Sequence, residues 1–259
     1  MLWEWIASCL TDCTPAARRL GYHREPAAIQ ARARRCRDAW APHLACSREK
    51  VAWAAQAHGK GGTLLVLGSG ALLDLPAPPE LLTHFTSVIL ADIAHPPTAR
   101  RQARRHAAVR LARVDLTGTV ADIVGGRPLK PGCDAFTDGP APDLVISLNV
   151  LSQLPLKARA QVAAQGDDIA ADTLAADIVV AHLDHLARLN APCLILTDVE
   201  RRWLDADGIV RASEDPLFGR TLPGERLDSW PWAVAPLGEM AQGGAMETTV
   251  AAHLVRSGP

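Results

Sequence analysis

The sequence predicts an α/β fold, a doubly wound and mostly parallel sheet of seven strands preceded by a helical N-terminal segment. From Thr63 onward, strand-like apolar runs alternate with helix-like runs, which is typical of parallel strands joined by crossover helices. The first run is apolar at consecutive positions, as in a strand that is buried on both faces. The last two runs follow each other without a helix, and they predict a hairpin with one antiparallel strand.

Composition and charge are those of an ordinary globular chain. The 259 residues are 48% hydrophobic and 21% charged, with a formal net charge of −1. This balance gives no overall attraction to nucleic acid or to a membrane surface. No apolar run reaches the roughly 18–20 residues that span a bilayer, and the N-terminus lacks the basic stretch of a secretory signal. We therefore expect a cytoplasmic protein without a membrane partner.

Six cysteines are scattered along the chain. In a chain of this length they are expected to be reduced thiols in a cytoplasm. Four of them lie within the first 46 residues, but neither a CxxC pair nor an HxxxH spacing accompanies them. No metal site is expected.

Residues 1–60 are predicted to form a helical cap or lid, and residues 61–259 a Rossmann-like domain. Apolar side chains recur at helical spacing between residues 29 and 40, with arginines around them. Pro42 is expected to end this helix. Ser47 is expected to cap a second helix, and this helix is expected to stop at Gly59, Gly61 and Gly62.

The elements of the second domain follow from the alternation of apolar runs, glycines and prolines. In chain order they are a strand at 63–68, a helix at 80–85, a strand at 87–92, a basic helix at 96–107, strands at 109–115 and 142–149, one or two helices within 155–190, a strand at 191–198 and final strands at 230–237 and 247–255. The segment 199–229 is too long for a routine connection, which makes it a candidate substrate loop.

Glycines or polar residues stand at the end of each parallel strand. They are the turn Gly68–Ser69–Gly70, then Asp92, Asp115, Asn149 and Asp198. In open parallel sheets, ligands bind beyond the carboxyl ends of the strands. A sheet without a ligand would also have turn residues at these positions, so the pattern indicates a binding edge without identifying what it binds.

The glycine turn does not match a dinucleotide-binding loop. The third glycine of that fingerprint is replaced by Leu73. Prolines at 76, 78 and 79 shorten or displace the helix whose N–H groups would bind a pyrophosphate. A nucleoside without phosphates needs close backbone approach, which Gly68 and Gly70 permit. It also needs a carboxylate for the ribose about twenty residues onward, where Asp92 stands.

With these residues in this order, and with the fourth strand leading into "SLNVLSQLP", the sequence resembles the class I S-adenosylmethionine-dependent methyltransferases over roughly residues 47–255. The resemblance implies the seven-stranded order 3-2-1-4-5-7-6 with the last strand antiparallel, and S-adenosylmethionine as the cofactor. It implies that Asp92 binds the ribose and Asp115 the adenine amino group. The cofactor-binding positions that it implies are Gly68, Ser69, Gly70, Asp92, Ile93, Asp115, Leu116, Asn149 and Val150.

The chain departs from the family pattern before the glycines. The family usually has an acidic residue there, whereas Leu65 or Val66 occupies that place here. Asp74 is a candidate substitute. The alternatives without a ligand stay open: the glycines can form a tight turn, and Asp92 and Asp115 can cap helices.

Two residues are candidate catalytic groups. Asn149 can accept a hydrogen bond from an amine acceptor, although no NPPY tetrad follows it, and Asp198 ends the fifth strand. His182 and His185, with Asp184 between them, are expected to lie on a solvated helix face rather than to serve as a metal site or a base.

The sequence predicts methyl transfer, and we expect the acceptor to be a small molecule rather than a protein or RNA. A catalytically inactive methyltransferase-like binding module is one alternative, motivated by the missing acidic residue. An RNA methyltransferase or RNA-binding protein is the other, because two arginine-rich runs resemble phosphate-binding surfaces. We expect those arginines to lie on solvated helix faces.

Overall fold

The computed structural model describes residues 2–256. Its helices are α1 (Leu2–Leu10), α2 (Pro15–Arg19), α3 (Glu25–Arg35), α4 (Arg37–His58), α5 (Pro78–Leu81), α6 (Pro97–Arg105), α7 (Val120–Gly125), α8 (Pro155–Ala163) and α9 (Asp168–Arg188), with 3-10 turns at Tyr22–Arg24 and Ala241–Gly243. Its strands are β1 (Asp12–Cys13), β2 (Thr63–Leu67), β3 (Ser87–Asp92), β4 (Ala94–His95), β5 (Val109–Arg113), β6 (Leu144–Leu148), β7 (Cys193–Leu204), β8 (Val210–Glu214), β9 (Glu225–Ala235) and β10 (Ala245–Val255).

The predicted fold class, a mostly parallel α/β sheet, is confirmed. The main sheet has the strand order β5-β3-β2-β6-β7-β10-β9, with β8 paired to β7 outside this path. The first five of these strands pair in parallel, whereas β10 is antiparallel to both β7 and β9. Numbered along the chain without β8, the seven strands of this path run in the order 3-2-1-4-5-7-6.

Strand β8 corrects the expectation of one long loop at 199–229. Strand β7 continues to Leu204 and turns back into β8. The carboxylate of Asp205 accepts the backbone N–H groups of Asp207 and Ile209 at 3.0 and 2.9 Å, and Gly208 adopts a φ of +79°. A local aspartate–glycine turn therefore converts half of the expected loop into a β-hairpin.

The N-terminal residues are helical, as expected, but Pro42 does not end a helix. Helix α4 runs through Pro42 to His58, and the chain breaks earlier, at Cys36. Ser47, the expected cap, is a fully buried residue inside this helix. Proline removes one backbone hydrogen bond, and we attribute the survival of the helix to packing, because Trp40 and Val51 lie in the core on either side of Pro42.

Each face of the sheet carries its own apolar cluster. In β2, Leu64 and Val66 face the cluster that includes Trp40 of α4, whereas Leu65 and Leu67 face the cluster that includes Val179 of α9. This alternation buries β2 on both faces, as its continuous apolar run predicted. Helices α4 and α9 therefore cover opposite faces of the sheet.

The expectation of a solvated histidine face on α9 is wrong. His182 and His185 are both 0% exposed. The Nε2 atom of His182 lies 2.9 Å from the hydroxyl of Ser147, and Nε2 of His185 donates to the carbonyl of Ala135 at 2.8 Å. The surrounding helix buries small side chains such as Ala171 and Ala175, so α9 lies close to the sheet and its histidines enter the core.

Acid should destabilise the protein through these histidines. Burial lowers the pKa of His182 from 6.5 to about 3, and it also lowers the pKa of His185. Below pH 6.5 each of these histidines becomes protonated in the unfolded chain but stays neutral in the folded chain until the pH reaches its lowered pKa. We expect the free energy of unfolding, measured with urea, to fall between pH 6.5 and 5 by up to about 1.4 kcal/mol per pH unit for each such histidine. His182→Gln should reduce this slope, and a slope equal to that of the wild type would contradict the assignment.

Candidate functional site

The carboxyl ends of the parallel strands meet at one edge of the sheet. The register pairs Leu67 of β2 with Ala91 of β3 and with Ser147 of β6, and it pairs Leu148 of β6 with Leu196 of β7. The residues that follow these positions therefore start at the same edge. The structure brings the glycine turn, Asp92 and Asn149 together there, with Asp198 two residues beyond Leu196.

The two glycines of the turn have different surroundings. Gly68 has a φ of +81°, and a Cβ atom there would lie 2.4 Å from Cβ of Val150. Gly70 has a φ of +49°, and a Cβ atom there would meet nothing closer than the carbonyl of Gly68, 3.9 Å away. Gly68 is therefore required by packing against Val150, whereas Gly70 leaves space beside the turn. Ser69, between them, is buried, and its hydroxyl has no partner.

Asp92 ties the end of β3 to the glycine turn. One carboxylate oxygen accepts the N–H of Gly70 at 2.7 Å, and the other accepts the N–H of Ala94 at 3.2 Å. Burial raises the pKa of Asp92, while these N–H groups and nearby His95 oppose the rise. A carboxylate offers about four lone-pair sites, so Asp92 can accept further hydrogen bonds. Ile93 is the half-buried residue between β3 and β4.

Asp115 is used locally. One oxygen accepts the N–H and the hydroxyl of Thr117 at 3.0 and 2.6 Å, and the other accepts the N–H of Val120 at the start of α7 at 2.9 Å. Leu116 is buried in the apolar cluster under α9. These contacts support the capping alternative for Asp115, and contact with adenine stays a prediction.

A polar network joins Asn149 to α4 and to the loop between β2 and α5, residues 68–77, which we call the proline-rich loop. The side-chain amide of Asn149 donates to Oδ1 of Asp74 at 3.1 Å, and the same oxygen lies 2.9 Å from Nε2 of His43. The indole N–H of Trp230 donates to Nδ1 of His43 at 3.0 Å, and the imidazole stacks on the ring of Trp232 with centroids 3.9 Å apart. Asn149 has a φ of +49°, a conformation that asparagine tolerates better than most residues.

The sequence analysis missed His43 and Tyr22. Nothing in the residues around His43 predicts that α4 crosses to the proline-rich loop. Tyr22 lies in the 3-10 turn of the N-terminal segment, and the ammonium of Lys157 lies 4.8 Å from its ring centroid. Burial raises the pKa of Tyr22, and the negative charges of Asp115, Glu25 and Asp92 raise it further. The N-terminal segment thus reaches the strand ends.

Asp198 is held in a buried ion pair. Its Oδ2 atom accepts Nε and Nη2 of Arg201 at 3.1 and 2.9 Å and the hydroxyl of Ser152 at 3.2 Å. Arg201 also donates to the carbonyl of Ser152 at 3.1 Å. Both charged residues are less than 9% exposed. The pair positions the loop after β6, and a catalytic role for Asp198 stays a prediction.

Breaking this pair should destabilise the protein. Arg201→Met leaves the buried carboxylate of Asp198 without a counter-charge, so we expect unfolding to become easier by about 3 kcal/mol in urea. Arg202→Met is the matched control, because Arg202 pairs with Glu247 at 3.8 Å and both side chains are more than one-third exposed. Its effect should stay below about 1 kcal/mol. Equal losses in the two variants would contradict the structural role of the pair.

Other features of the described chain lie outside this site. In residues 2–256 no group of three or more His, Cys, Asp or Glu side chains is arranged to hold a metal. No described helix is both long and apolar enough to cross a bilayer. A cavity of about 390 Å³ lies between α1 and α3, lined by Trp3, Glu4, Ala7, Ala27, Gln30 and Arg34.

Comparisons with known proteins give structural likeness only. No family profile matches the chain, and no curated protein sequence matches it significantly. The 1,6-didemethyltoxoflavin-N1-methyltransferase of Burkholderia thailandensis, solved with 1,6-didemethyltoxoflavin and S-adenosylhomocysteine, is 15% identical with a TM-score of 0.40, covering 88% of this chain and 86% of its own. An O-methyltransferase family protein of the same organism is 15% identical with a TM-score of 0.42, covering 100% of this chain and 68% of its own.

Proposed function

We propose that this protein transfers a methyl group from S-adenosylmethionine to a small-molecule acceptor. The observation that carries the proposal is a hydrogen bond between neighbouring strand ends. The backbone N–H of Gly70, in the Gly68–Ser69–Gly70 turn, donates to the carboxylate of Asp92. Asn149 stands at the next strand end on the other side of β2. This places a glycine turn, a carboxylate and an amide side by side where open parallel sheets bind ligands.

The residues present fit a nucleoside that carries an amino-acid tail. The space beside Gly70 admits close approach to the backbone. Asp92 keeps lone pairs for ribose hydroxyls, and the Oδ1 atom of Asn149 is buried without a partner. A pyrophosphate does not fit, because α5 begins only at Pro78, spans four residues and starts with two prolines that lack N–H groups.

When bound, S-adenosylmethionine supplies a methyl group already activated on a sulfonium. The chain then has to bind the cofactor and the acceptor, align them and exclude water. We assign ribose binding to Asp92 and close backbone contact with the nucleoside to Gly70. We assign to Asn149 the orientation of the methyl donor. The ion-paired Asp198 is poorly suited to act as a base, so we propose Asn149 rather than Asp198 as the residue nearest the reacting atoms.

We further propose that residues 1–60 act as a lid over the nucleoside. Strand β1 pairs with β4, directly after Asp92, and the half-buried Tyr22 lies near Asp92 and Asp115. The six cysteines are all free, which is consistent with the reducing cytoplasm proposed for the protein.

Turnover tests this proposal against an inactive binding module. The protein should convert S-adenosylmethionine to S-adenosylhomocysteine when it is supplied with pools of small-molecule acceptors, and NAD should neither bind nor compete. Tight nucleoside binding without conversion in any pool would favour the binding module. Retention on heparin with a steep salt dependence would favour RNA.

A further inference from the structure

Helix α1 buries its small polar side chains and exposes its large apolar ones. Ser8 and Thr11 are 7% and 1% exposed, and their hydroxyls donate back to carbonyls of the same helix, each at 2.8 Å. Trp3, Trp5 and Leu10 are instead 78%, 65% and 55% exposed. A surface helix normally turns its apolar side chains to the core, so this outward apolar face indicates an interaction site.

The exposed side chains of α1 form one continuous surface. Trp3, Ile6 and Leu10 follow the i, i+3, i+7 spacing of a single helix face, and Trp5 lies on the adjoining side. Glu4 is the only charged residue of this helix, and it lines the cavity between α1 and α3. The outward face of α1 is therefore apolar and rich in tryptophan, the residue type that is enriched where a membrane meets water.

Arginines border this apolar face at both ends. The guanidinium of Arg100, in α6, donates to the carbonyl of Leu10 at 3.0 Å, and Arg18, in α2, donates to the carbonyl that follows at 2.7 Å. At the other end of the helix, Arg34 of α3 lines the same cavity as Trp3. These contacts place positive charge beside both ends of the exposed face.

Helix α6 extends the positive charge away from α1. The segment from Pro97 to Arg113 contains six arginines and no acidic residue. Arg104 lies one turn beyond Arg100, on the same side of α6, and both Arg101 and Arg104 are exposed. The net charge of −1 predicts no membrane partner for the chain as a whole, but this part of its surface is both apolar and positive.

We propose that α1 and α6 dock this protein on an anionic lipid bilayer, with the apolar face of α1 in the membrane interface and the arginines of α6 at the lipid phosphates. Interfacial helices bury tryptophan and leucine below the headgroups and keep basic side chains among them. The anionic lipids of a cytoplasmic leaflet attract such basic segments. This inference does not depend on the proposed methyl transfer.

The charges favour a bilayer over two other occupants. A second copy of the chain, held by a two-fold contact through α1, would bring the arginines at the ends of one α1 close to those of the other. A nucleic acid would satisfy the arginines through its phosphates, but Leu10 and Ile6 would remain in water. An anionic bilayer complements both the apolar face and the positive charge around it.

Flotation of the full chain with lipid vesicles tests this surface. The vesicles are phosphatidylcholine alone and phosphatidylcholine mixed with anionic phosphatidylglycerol. We expect the wild type to float with the mixed vesicles, and the bound fraction to fall as salt is added. Trp3→Ser/Trp5→Ser should weaken this partitioning by more than about 10-fold. Arg101→Gln/Arg104→Gln should weaken it by about 5-fold for each arginine, on the anionic vesicles only.

Matched variants control for the loss of a tryptophan and of charge. Trp53→Ser replaces a tryptophan of α4 that is 42% exposed. Arg220→Gln/Arg226→Gln removes the same charge from two exposed positions outside α1 and α6. Both controls should float like the wild type. If either control lost binding as strongly as its test variant, the assignment to α1 and α6 would be wrong.

Quenching of wild-type fluorescence by lipids brominated on their acyl chains gives a measurement that needs no variant. We expect quenching in the wild type and little in Trp3→Ser/Trp5→Ser, which keeps five of the seven tryptophans. Thermal melting without vesicles should be equal in the two proteins, because both side chains are exposed. A wild type that neither floats nor is quenched would overturn the proposal.

Two further results would overturn the proposal in favour of another partner. Without vesicle binding, a dimer in light scattering that dissociates in Trp3→Ser/Trp5→Ser would assign the face to a second copy. Without vesicle binding, retention on heparin that is lost in Arg101→Gln/Arg104→Gln and kept in the tryptophan variant would assign the arginines to a nucleic acid.

Discussion

Asp92→Ala is expected to abolish binding of S-adenosylhomocysteine, with an affinity loss of at least about 100-fold. The carboxylate is the proposed acceptor of two ribose hydroxyls, and hydrogen bonds to a charged group contribute about 1.5–3 kcal/mol each. The side chain also accepts the N–H groups of Gly70 and Ala94. Its removal should therefore loosen the turn and lower the free energy of unfolding by about 2 kcal/mol. Titration calorimetry and urea unfolding measure the two effects separately.

Asp115→Ala is the informative comparison for this variant. Its carboxylate holds Thr117 and Val120, so its loss should also destabilise the fold, by about 1 kcal/mol. If Asp115 serves only as a cap, nucleoside affinity will survive in this variant while it disappears in Asp92→Ala. An Asp92→Ala protein that folds and binds S-adenosylhomocysteine like the wild type would remove Asp92 from the site.

Alanine at the two glycines of the turn should separate packing from binding. Gly68→Ala places a Cβ atom 2.4 Å from Val150 at a φ of +81°, so we expect a loss of about 3 kcal/mol in the free energy of unfolding. Gly70→Ala meets open space and should cost only the strain of its positive φ, about 1 kcal/mol. That methyl group would project into the space beside the turn that we propose for the ligand, so nucleoside affinity should fall by more than about 10-fold.

The reverse pattern would contradict the geometry of the turn. A stable Gly68→Ala protein would mean that Val150 does not pack against the glycine. A Gly70→Ala protein with unchanged affinity would mean that the space beside Gly70 holds no ligand. Thermal melting in the absence of ligand and calorimetry in its presence distinguish these results.

The seven strands on the main path of the sheet and the residues at their ends could be predicted from the sequence because their signals are local, whereas β1, β4 and β8 were not predicted. The apolar run at β2 and the glycines after it define both a strand and its end within eight residues. The helices were harder to predict. Pro42 predicted a break that packing overrides, and the histidines of α9 are buried although their neighbour Asp184 is exposed. Propensity is a weak signal where tertiary contacts decide.

The polar network of the site could not be predicted, because its members are far apart in the chain. His43 reaches Asp74 across 31 residues and Trp230 across 187. Asp74 was a candidate only through its place near the glycines, and nothing in the sequence indicates that Asn149 donates to it. Tyr22 gave no signal either, since a single tyrosine in a helical segment has no spacing to interpret. Contacts of this kind follow from how α4 and the N-terminal segment pack on the sheet.

Calorimetric titration of the wild-type protein with S-adenosylhomocysteine tests the central claim most directly. We expect binding at one site per chain with a dissociation constant in the micromolar range, together with a rise in melting temperature that grows with ligand concentration. The absence of both heat and thermal shift at millimolar S-adenosylhomocysteine would contradict the claim that this sheet edge binds a nucleoside.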